Sequence, residues 1–197
     1  MGILRSAFSH YDTTENLENV GDAVAVFSFG TSIDQGSVNA ELAQTGLLLA
    51  GERPLLVDSM IYKALWLSSL VSDVETVHEV DTSETLESQP LDHITVLDAA
   101  ISSLPGRGGG SWEALKGAKQ IMADHGIEEL DLIIVGQAYH VGRVAMQAKT
   151  LEINPLMPAN LTRRFDRKSK QLWTRGLGLW VPYELLGSLE LKRRGQL

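Results

Sequence analysis

A histidine and an arginine stand three positions apart where a buried strand is expected to turn into a helix. Residues 130–136 form the clearest buried strand pattern of the chain, and Gln137, Tyr139, His140 and Arg143 follow it. Such a strand delivers Gln137 and His140 to the carboxyl edge of a sheet, with Arg143 in the first turn of the next helix. This pair can bind an oxyanion and exchange a proton with it, and the charge of Arg143 favours a neutral imidazole. The segment predicts a ligand site with His140 as general acid or base; a satisfied structural histidine is the alternative.

A glycine-rich loop before an earlier helix is the second candidate. Its glycines are Gly106, Gly108, Gly109 and Gly110, and a helix predicted over residues 112–125 follows, with Ser111 and Glu113 near its start. Glycine lets backbone N–H groups approach a ligand, and a helix N-terminus favours anions. The loop matches neither the Walker A nor the dinucleotide-binding pattern. It predicts a phosphate or carboxylate cradle, with Glu113 supporting His140, or else a flexible loop capped by Ser111.

The loops that end the first two predicted strands carry hydroxyl and carboxylate groups. Residues 22–30 and 54–58 have apolar runs typical of buried strands. The candidate ligand-binding residues are Gly30, Thr31, Ser32 and Asp34 after the first strand and Asp58 at the end of the second. The first of these loops could bind phosphate, or Asp34 could meet a metal ion or a ribose. A capped turn is the structural alternative.

Basic residues are concentrated in the second half of an acidic chain. The net charge is −8, but residues 1–100 hold 16 acidic and 3 basic side chains, whereas residues 101–197 hold 9 and 14. Six cations lie in the segment 162–175, interleaved with two aromatic residues: Arg163, Arg164, Phe165, Arg167, Lys168, Lys170, Trp173 and Arg175. The overall acidity argues against a nucleic-acid partner. The segment is expected to gate a charged small molecule or to form solvated surface.

Strand and helix patterns alternate along the chain, which is typical of βαβ units. Further helices are predicted over residues 40–50, 60–71, 141–151 and 182–194, and further strands over 74–80, 94–96 and 152–157; residues 81–92 are expected to form a surface loop or lid. The predicted fold is a single α/β domain, with an N-terminal extension over residues 1–22 and a core over 23–194. Its sheet is expected to be mostly parallel, with helices on both faces.

Composition limits the classes of function. The absence of cysteine excludes disulfides and thiolate chemistry, and the scattered histidines predict no metal site. The start of the chain lacks a secretory signal, and its apolar runs are too short to span a bilayer. We therefore expect a cytoplasmic protein that binds a small anionic molecule and has no membrane partner. Homo-oligomerisation is compatible with the sequence.

The segment 135–143 resembles the strand–Tyr/Phe-His-x-x-Arg signature of the YdcF/SanA/ElyC-like family of bacterial proteins. The start of the predicted helix at Ser111 resembles that family's Thr-x-Glu-Asn motif, and Gly30 matches the glycine that closes its first strand. The C-terminal helix is also similar, so that the resemblance covers roughly residues 23–194. It implies a three-layer Rossmann-like fold and a cleft for a nucleotide-type ligand, with S-adenosylmethionine among the candidates.

The same resemblance implies that Ser111, Glu113, His140 and Arg143 line the cleft. Two departures matter, since Ala114 stands where the family has asparagine, and Asp58-Ser59-Met60 stands where it has Ser-Gly-Gly. They imply a changed substrate or a site without turnover. The leading hypothesis is an enzyme that transfers or hydrolyses a group on a phosphorylated or nucleotide-like ligand. A non-catalytic nucleotide or S-adenosylmethionine binding module and a biosynthetic enzyme for a carboxylate substrate are the alternatives.

Overall fold

The computed structural model describes residue 17 and residues 20–68, 94–97 and 110–197. Several predicted features lie outside the described residues: the strand over 74–80, the loop over 81–92, the final residues of the helix predicted over 60–71, and Gly106, Gly108 and Gly109.

A parallel sheet is the centre of the fold. In the described part of the chain it has five strands, β1 (Ala23–Val26), β2 (Leu55–Val57), β3 (Ile94–Val96), β4 (Asp131–Val135) and β5 (Asn154–Leu156). Every neighbouring pair is parallel, and the strand order is β3-β2-β1-β4-β5. The prediction of a Rossmann-like α/β fold with a parallel sheet is confirmed.

Five helices alternate with these strands within the described ranges. They are α1 (Val38–Ala50), α2 (Ser59–Leu67), α3 (Gly110–Asp124), α4 (Ala138–Thr150) and α5 (Leu177–Arg193), with a short 3-10 helix at Leu172–Arg175. All five begin before their predicted first residue, and the difference is largest for α4 and α5. Helix α4 starts at Ala138 because the side chain of Gln137 accepts the N–H of Tyr139 and caps it. Helix α5 starts five residues before Pro182, which lies inside it.

Alternate residues of the strands belong to two separate hydrophobic clusters. Ala23, Ala25, Leu132 and Ile134 pack with apolar residues of α3 and α4. Val24, Val26, Ile133 and Val135 pack with apolar residues of α1 and α2 and with Trp180 of α5. Since successive strand side chains point in opposite directions, both sets of side chains of β1 and β4 are buried. This is the physical reason for their continuous apolar sequence.

The strand order changes direction between β1 and β4. From β1 the chain moves outward through β2 and β3, and then returns to place β4 on the other side of β1. Parallel sheets leave a crevice beyond the carboxyl ends of the strands at such a switch point. The loop after β1 and the start of α4 therefore meet where a ligand is expected. Within the described residues, no helix combines the length and the apolar character needed to cross a membrane.

Gly46 tests the close contact between α1 and β1. A Cβ at this helical position would overlap the side chain of Val26, whereas a Cβ at the helical Gly117 would make an ordinary contact of 3.7 Å with Leu97. Both substitutions by alanine gain about 0.5–1 kcal/mol of helix propensity. We expect Gly117→Ala to stabilise the protein and Gly46→Ala to destabilise it by about 1–2 kcal/mol through overpacking. Urea denaturation of both variants checks this, and equal stability of the two would contradict the described packing.

Candidate functional site

The loop after β1 is arranged around the buried carboxylate of Asp166. Oδ2 of Asp166 accepts the backbone N–H groups of Thr31 at 3.1 Å and Ser32 at 2.9 Å, and Oδ1 accepts the Ser32 hydroxyl at 2.6 Å. Asp166 is only 5% exposed. The loop that the sequence suggested for a phosphate thus uses two of its N–H groups and a hydroxyl on a carboxylate of the chain itself.

Gly30 is required by the position of Asp166. Its φ is +86°, in the region that side chains rarely adopt, and a Cβ there would overlap the carboxylate. Buried Asn39 holds the same loop from the other side: its Oδ1 accepts the N–H of Phe29, and its Nδ2 donates to the carbonyl of Ser32. Gly30 therefore has a conformational role in the loop, in addition to the ligand-binding role that the sequence suggested.

Asp58 joins β1 to the start of α2. Its Oδ1 accepts the N–H groups of Met60 and Ile61, both at 3.0 Å, and so caps the helix. Its Oδ2 accepts the N–H of Ser28 at 2.9 Å. These three bonds account for Asp58 by local structure.

A cleft of about 690 Å³ lies between the loop after β1 and the basic segment. Its lining is rich in charged and hydroxyl groups: Ser32, Asp34, Gln35, Gly36, Ser37, Val38, Arg163, Arg164, Phe165, Asp166, Arg167, Lys168, Arg175, Gly176 and Leu177. Ser37 and Val38 are the cap and first residue of α1, so that the N-terminus of this helix borders the cleft. Partial positive charge at a helix N-terminus adds to that of the cationic side chains.

The cations of the cleft differ in how far they are already paired. Arg164 binds Glu41 at 3.0 Å and the carbonyl of Gly36, and Lys168 lies 3.6 Å from Asp34. Nε of Arg175 donates to the carbonyl of Ser169. The side chains of two further arginines, Arg163 and Arg167, have no hydrogen-bond or ion-pair partner among the described residues. These two guanidinium groups are available to an anion.

The start of α4 places the predicted histidine and arginine differently from the sequence expectation. Because the helix begins at Ala138, Tyr139 and His140 lie in its first turn and Arg143 lies in its second turn, not its first. Gln137 is fully buried, and its side chain is occupied by capping α4 and by the carbonyl of Arg164. Of the residues predicted in this segment, His140 and Arg143 are therefore the ones whose side chains could bind a ligand or exchange a proton with it.

His140 and Arg143 form a cluster with Glu184 of α5. Nε of Arg143 donates to Oε1 of Glu184 at 2.8 Å, and Nη2 of Arg143 lies 3.2 Å from Nδ1 of His140. The Arg143 and Glu184 side chains are 14% and 5% exposed. Oε2 of Glu184 and Nε1 of Trp180, one turn apart on α5, are buried and have no hydrogen-bond partner among the described residues. Arg143 is therefore already neutralised, which weakens its predicted role as the anion anchor.

Burial displaces both titrating groups of this cluster toward their neutral forms. The pKa of His140 lies well below its ordinary value of 6.5, mainly through burial and then through the charge of Arg143. Burial raises the pKa of Glu184 above its ordinary 4.5, although Arg143 opposes that rise. Among the described residues, Arg143 is the charged group that acts on His140 and is itself bonded to Glu184, and Phe29 and Trp180 contact the imidazole ring.

Helix α3 carries three of the predicted site residues, Gly110, Ser111 and Glu113. Gly110 is its first residue, and the hydroxyl of Ser111 donates to the buried Gln147 of α4 at 2.6 Å. Glu113 pairs with Lys116 at 3.2 Å, with both side chains about half exposed. The carboxylate that reaches the His140 cluster is thus that of Glu184, and Glu113 lies in a surface pair.

An aromatic layer lies between the cleft and the His140 cluster. Phe165 lines the cleft, stacks on Tyr139 and meets Phe29 edge-on at 5.9 Å. The other neighbours of Phe29 are His140 at 6.4 Å and Trp180 at 5.1 Å. The structure therefore has two polar sites joined through Phe29, where the sequence predicted a single cleft.

The sequence reasoning missed the two carboxylates that organise these sites. Asp166 is the only acidic residue of the basic segment, and Glu184 is the only charged residue between Gly176 and Glu190, in the mostly apolar first part of its helix. An isolated charge in such a setting is a signal, since carboxylates are rarely buried unless they are paired. In the described parts of the chain, no cluster of three histidine, cysteine or carboxylate residues is arranged to hold a metal ion.

No family model, no curated protein and no solved structure matches this chain.

The contact between Gly30 and Asp166 can be tested with a matched pair of glycines. Gly36 has a similar φ of +81°, but a Cβ there would meet open space. We expect Gly36→Ala to cost about 1–2 kcal/mol of backbone strain, and Gly30→Ala to cost about 2 kcal/mol more because charged hydrogen bonds to Asp166 are disrupted. Chemical denaturation measures both. A Gly30→Ala variant as stable as Gly36→Ala would show that Asp166 does not occupy the loop.

The lowered pKa of His140 predicts a pH effect on stability. Below pH 6.5 the unfolded chain takes up a proton at this histidine that the folded protein does not, so the free energy of unfolding falls by at most about 1.4 kcal/mol per pH unit. The raised pKa of Glu184 acts in the opposite sense, since its stability contribution is lost as the pH rises through the folded value. His140→Gln removes only the first effect. Between pH 7.5 and 5.5, this variant should lose less stability than the wild type in urea denaturation.

The control for this experiment is His125→Gln, which removes an exposed histidine at the end of α3. An equally flattened pH profile in the two variants would contradict the special environment of His140.

Proposed function

We propose that the protein binds a small anionic molecule, phosphorylated or nucleotide-like, in the cleft between the loop after β1 and the basic segment. The observation that carries this proposal is that two guanidinium groups in the lining of the cleft, those of Arg163 and Arg167, have no partner within the described ranges. Exposed arginines on one wall favour phosphate and carboxylate groups because their planar donors match these anions in bidentate geometry.

The local charge supports an anionic ligand in spite of the acidic chain. Five cationic side chains line the cleft against the two carboxylates of Asp34 and Asp166. Asp166 is engaged by backbone N–H groups, and Asp34 faces Lys168. A cleft with an excess of one sign of charge concentrates ligands of the other sign.

The position and size of the cleft support the same proposal. It lies beside the first residue of α1, near the β1–β4 switch point where parallel sheets bind ligands. A volume of about 690 Å³ falls within the range of small-molecule and cofactor sites. The half-buried ring of Phe165 adds an apolar surface to the wall. Asp166 already accepts the N–H groups of Thr31 and Ser32. We therefore assign the anionic group of the ligand to the side of the cleft that carries the guanidinium groups.

Binding without turnover is the form of this proposal that the geometry favours. The described lining contains no histidine, and His140 is separated from the cleft by Phe29. A nucleotide, S-adenosylmethionine or a carboxylate metabolite are the candidate ligand classes. Membership of the YdcF/SanA/ElyC-like family remains a proposal of ours, supported by the 135–143 segment and by the parallel α/β fold.

Catalysis is the second candidate function, and the His140 cluster favours it. Enzymes use a neutral imidazole at the start of a helix to polarise oxygen atoms of their substrates, and here Arg143 and Glu184 hold His140 at such a position. A transferase or a hydrolase would then act at His140 on a ligand anchored by the arginines of the cleft.

Isothermal titration calorimetry with ATP, inorganic pyrophosphate, S-adenosylmethionine and citrate tests the binding proposal. For each compound that binds the wild type, we expect the double variant Arg163→Ala/Arg167→Ala to bind at least tenfold more weakly, which is about 1.4 kcal/mol. Binding should also weaken as salt is added, since exposed charges are screened.

The matched control is Lys149→Ala/Lys192→Ala, which makes the same change in net charge at two exposed positions outside the cleft lining. It should leave affinity within about twofold. Equal losses in the two double variants would reduce the effect to overall charge, and failure of all four compounds to bind would contradict the proposed ligand classes.

A further inference from the structure

The contact between Arg143 and His140 determines where the imidazole carries its proton. Nη2 of Arg143 lies 3.2 Å from Nδ1 of His140. A guanidinium group has only donors and stays protonated in proteins. Nδ1 must therefore act as the acceptor in this contact. An imidazole with a free lone pair on Nδ1 is neutral and has its single hydrogen on Nε2.

Glu184 holds the arginine in the orientation that this contact needs. Its Oε1 accepts Nε of Arg143 at 2.8 Å, while the neighbouring Nη2 of the same planar group faces His140. Fixing Nε of a rigid guanidinium restricts the direction of its other donors. The buried position of Glu184, at 4% exposure, also excludes most of the water that would compete for Arg143.

The other ring nitrogen of His140 is directed away from this pair. Nε2 has no hydrogen-bond partner in the described ranges, and it is not fully buried. Phe29 and Trp180 contact the ring, the latter at right angles with centroids 5.7 Å apart. The half-buried imidazole therefore offers an N–H group beside apolar rings, where a hydrogen bond to an oxygen atom is strengthened by the low local polarity.

We propose that Glu184 and Arg143 are positioning residues that fix His140 as a neutral N–H donor for a carboxylate, phosphate or carbonyl oxygen of a ligand. His140 then polarises or anchors that oxygen through Nε2–H, and it does not serve as a base. This assignment stands independently of anion binding in the cleft. It changes the second candidate function, since the histidine supplies a hydrogen bond to the reacting oxygen and no proton is removed by it.

The tautomer is measured directly on the wild-type protein. Long-range ¹H–¹⁵N correlation spectra of ¹⁵N-histidine-labelled protein at pH 7.5 should show an unprotonated Nδ1 and a protonated Nε2 for His140, assigned by its loss in His140→Gln. A protonated Nδ1, or a mixture of the two tautomers, would overturn the proposal without requiring any other variant to fold.

Variants test the positioning roles. Arg143→Leu removes the donor to Nδ1, and Glu184→Ala removes the anchor of Arg143, so both should convert the single tautomer into a mixture. Glu184→Asp, which retains a carboxylate, should partly restore it. The matched control is Glu190→Ala, which removes a half-exposed carboxylate from the same helix and should leave the His140 signals unchanged. A single Nε2–H tautomer in Arg143→Leu would show that the arginine does not set it.

The ligand side of the proposal is tested with inorganic phosphate and acetate as probes. Titration of either anion into the labelled protein should shift the Nε2–H signal of His140, and the shift should persist in Arg163→Ala/Arg167→Ala. Loss of this shift in the double variant would mean that the His140 signal responds to anion binding in the cleft and not to an anion at Nε2–H, which would contradict the donor role. If neither anion moves the signal while the cleft still binds its ligand by calorimetry, the donor role of His140 is wrong and the proposed binding function stands.

Discussion

The burial of the Asp166 carboxylate against the loop after β1 is the interaction on which the candidate site depends. It joins residues separated by 135 positions in sequence, and it accepts two backbone N–H groups and a hydroxyl at once. Hydrogen bonds to a charged acceptor contribute about 1.5–3 kcal/mol each, which offsets the cost of removing the carboxylate from water. This contact, together with the bonds that join Ser169 and Lys170 to Thr31, holds the basic segment beside the carboxyl end of β1, and the cleft lies between that segment and the loop after β1.

A second buried carboxylate has the corresponding effect on α5. Glu184 joins α5 to α4 through Arg143, although one of its oxygens and the indole N–H of Trp180 have no partner in the part of the chain that the structure describes. Breaking such a buried pair by removing one partner typically costs about 3–5 kcal/mol, whereas replacing the whole pair with apolar side chains is often neutral. Stability alone therefore gives little reason for an ion pair at this position. Its effect on the neighbouring imidazole gives a better one.

The sequence predicts the elements of this protein well and its long-range contacts poorly. The apolar runs that become β1, β2 and β4 are visible because strands buried on both sides must be apolar throughout. The sequence predicts the start of α4 three residues late, since Gln137 is an uncommon helix cap. It therefore predicts Arg143 in the first turn of the helix, whereas Arg143 lies in the second. The roles of Asp166 and Glu184 depend on partners far away in sequence, and neither local propensity nor spacing contains that information. Glu113 is predicted to support His140 because it stands at a helix start, where a surface ion pair with Lys116 explains it equally well.

The arginines of the two sites differ in how far they are exposed to solvent. Arg143 is almost enclosed and already has a carboxylate, so an incoming anion would have to compete with Glu184 at close range. Arg163 and Arg167 are exposed and have no partner among the described residues, so an anion meets their charge with little reorganisation. A partly solvated guanidinium keeps its affinity for phosphate, because little of the binding energy is lost in separating an existing pair. For this reason we place the proposed anion in the cleft, and the enclosed arginine is better suited to orient the histidine beside it.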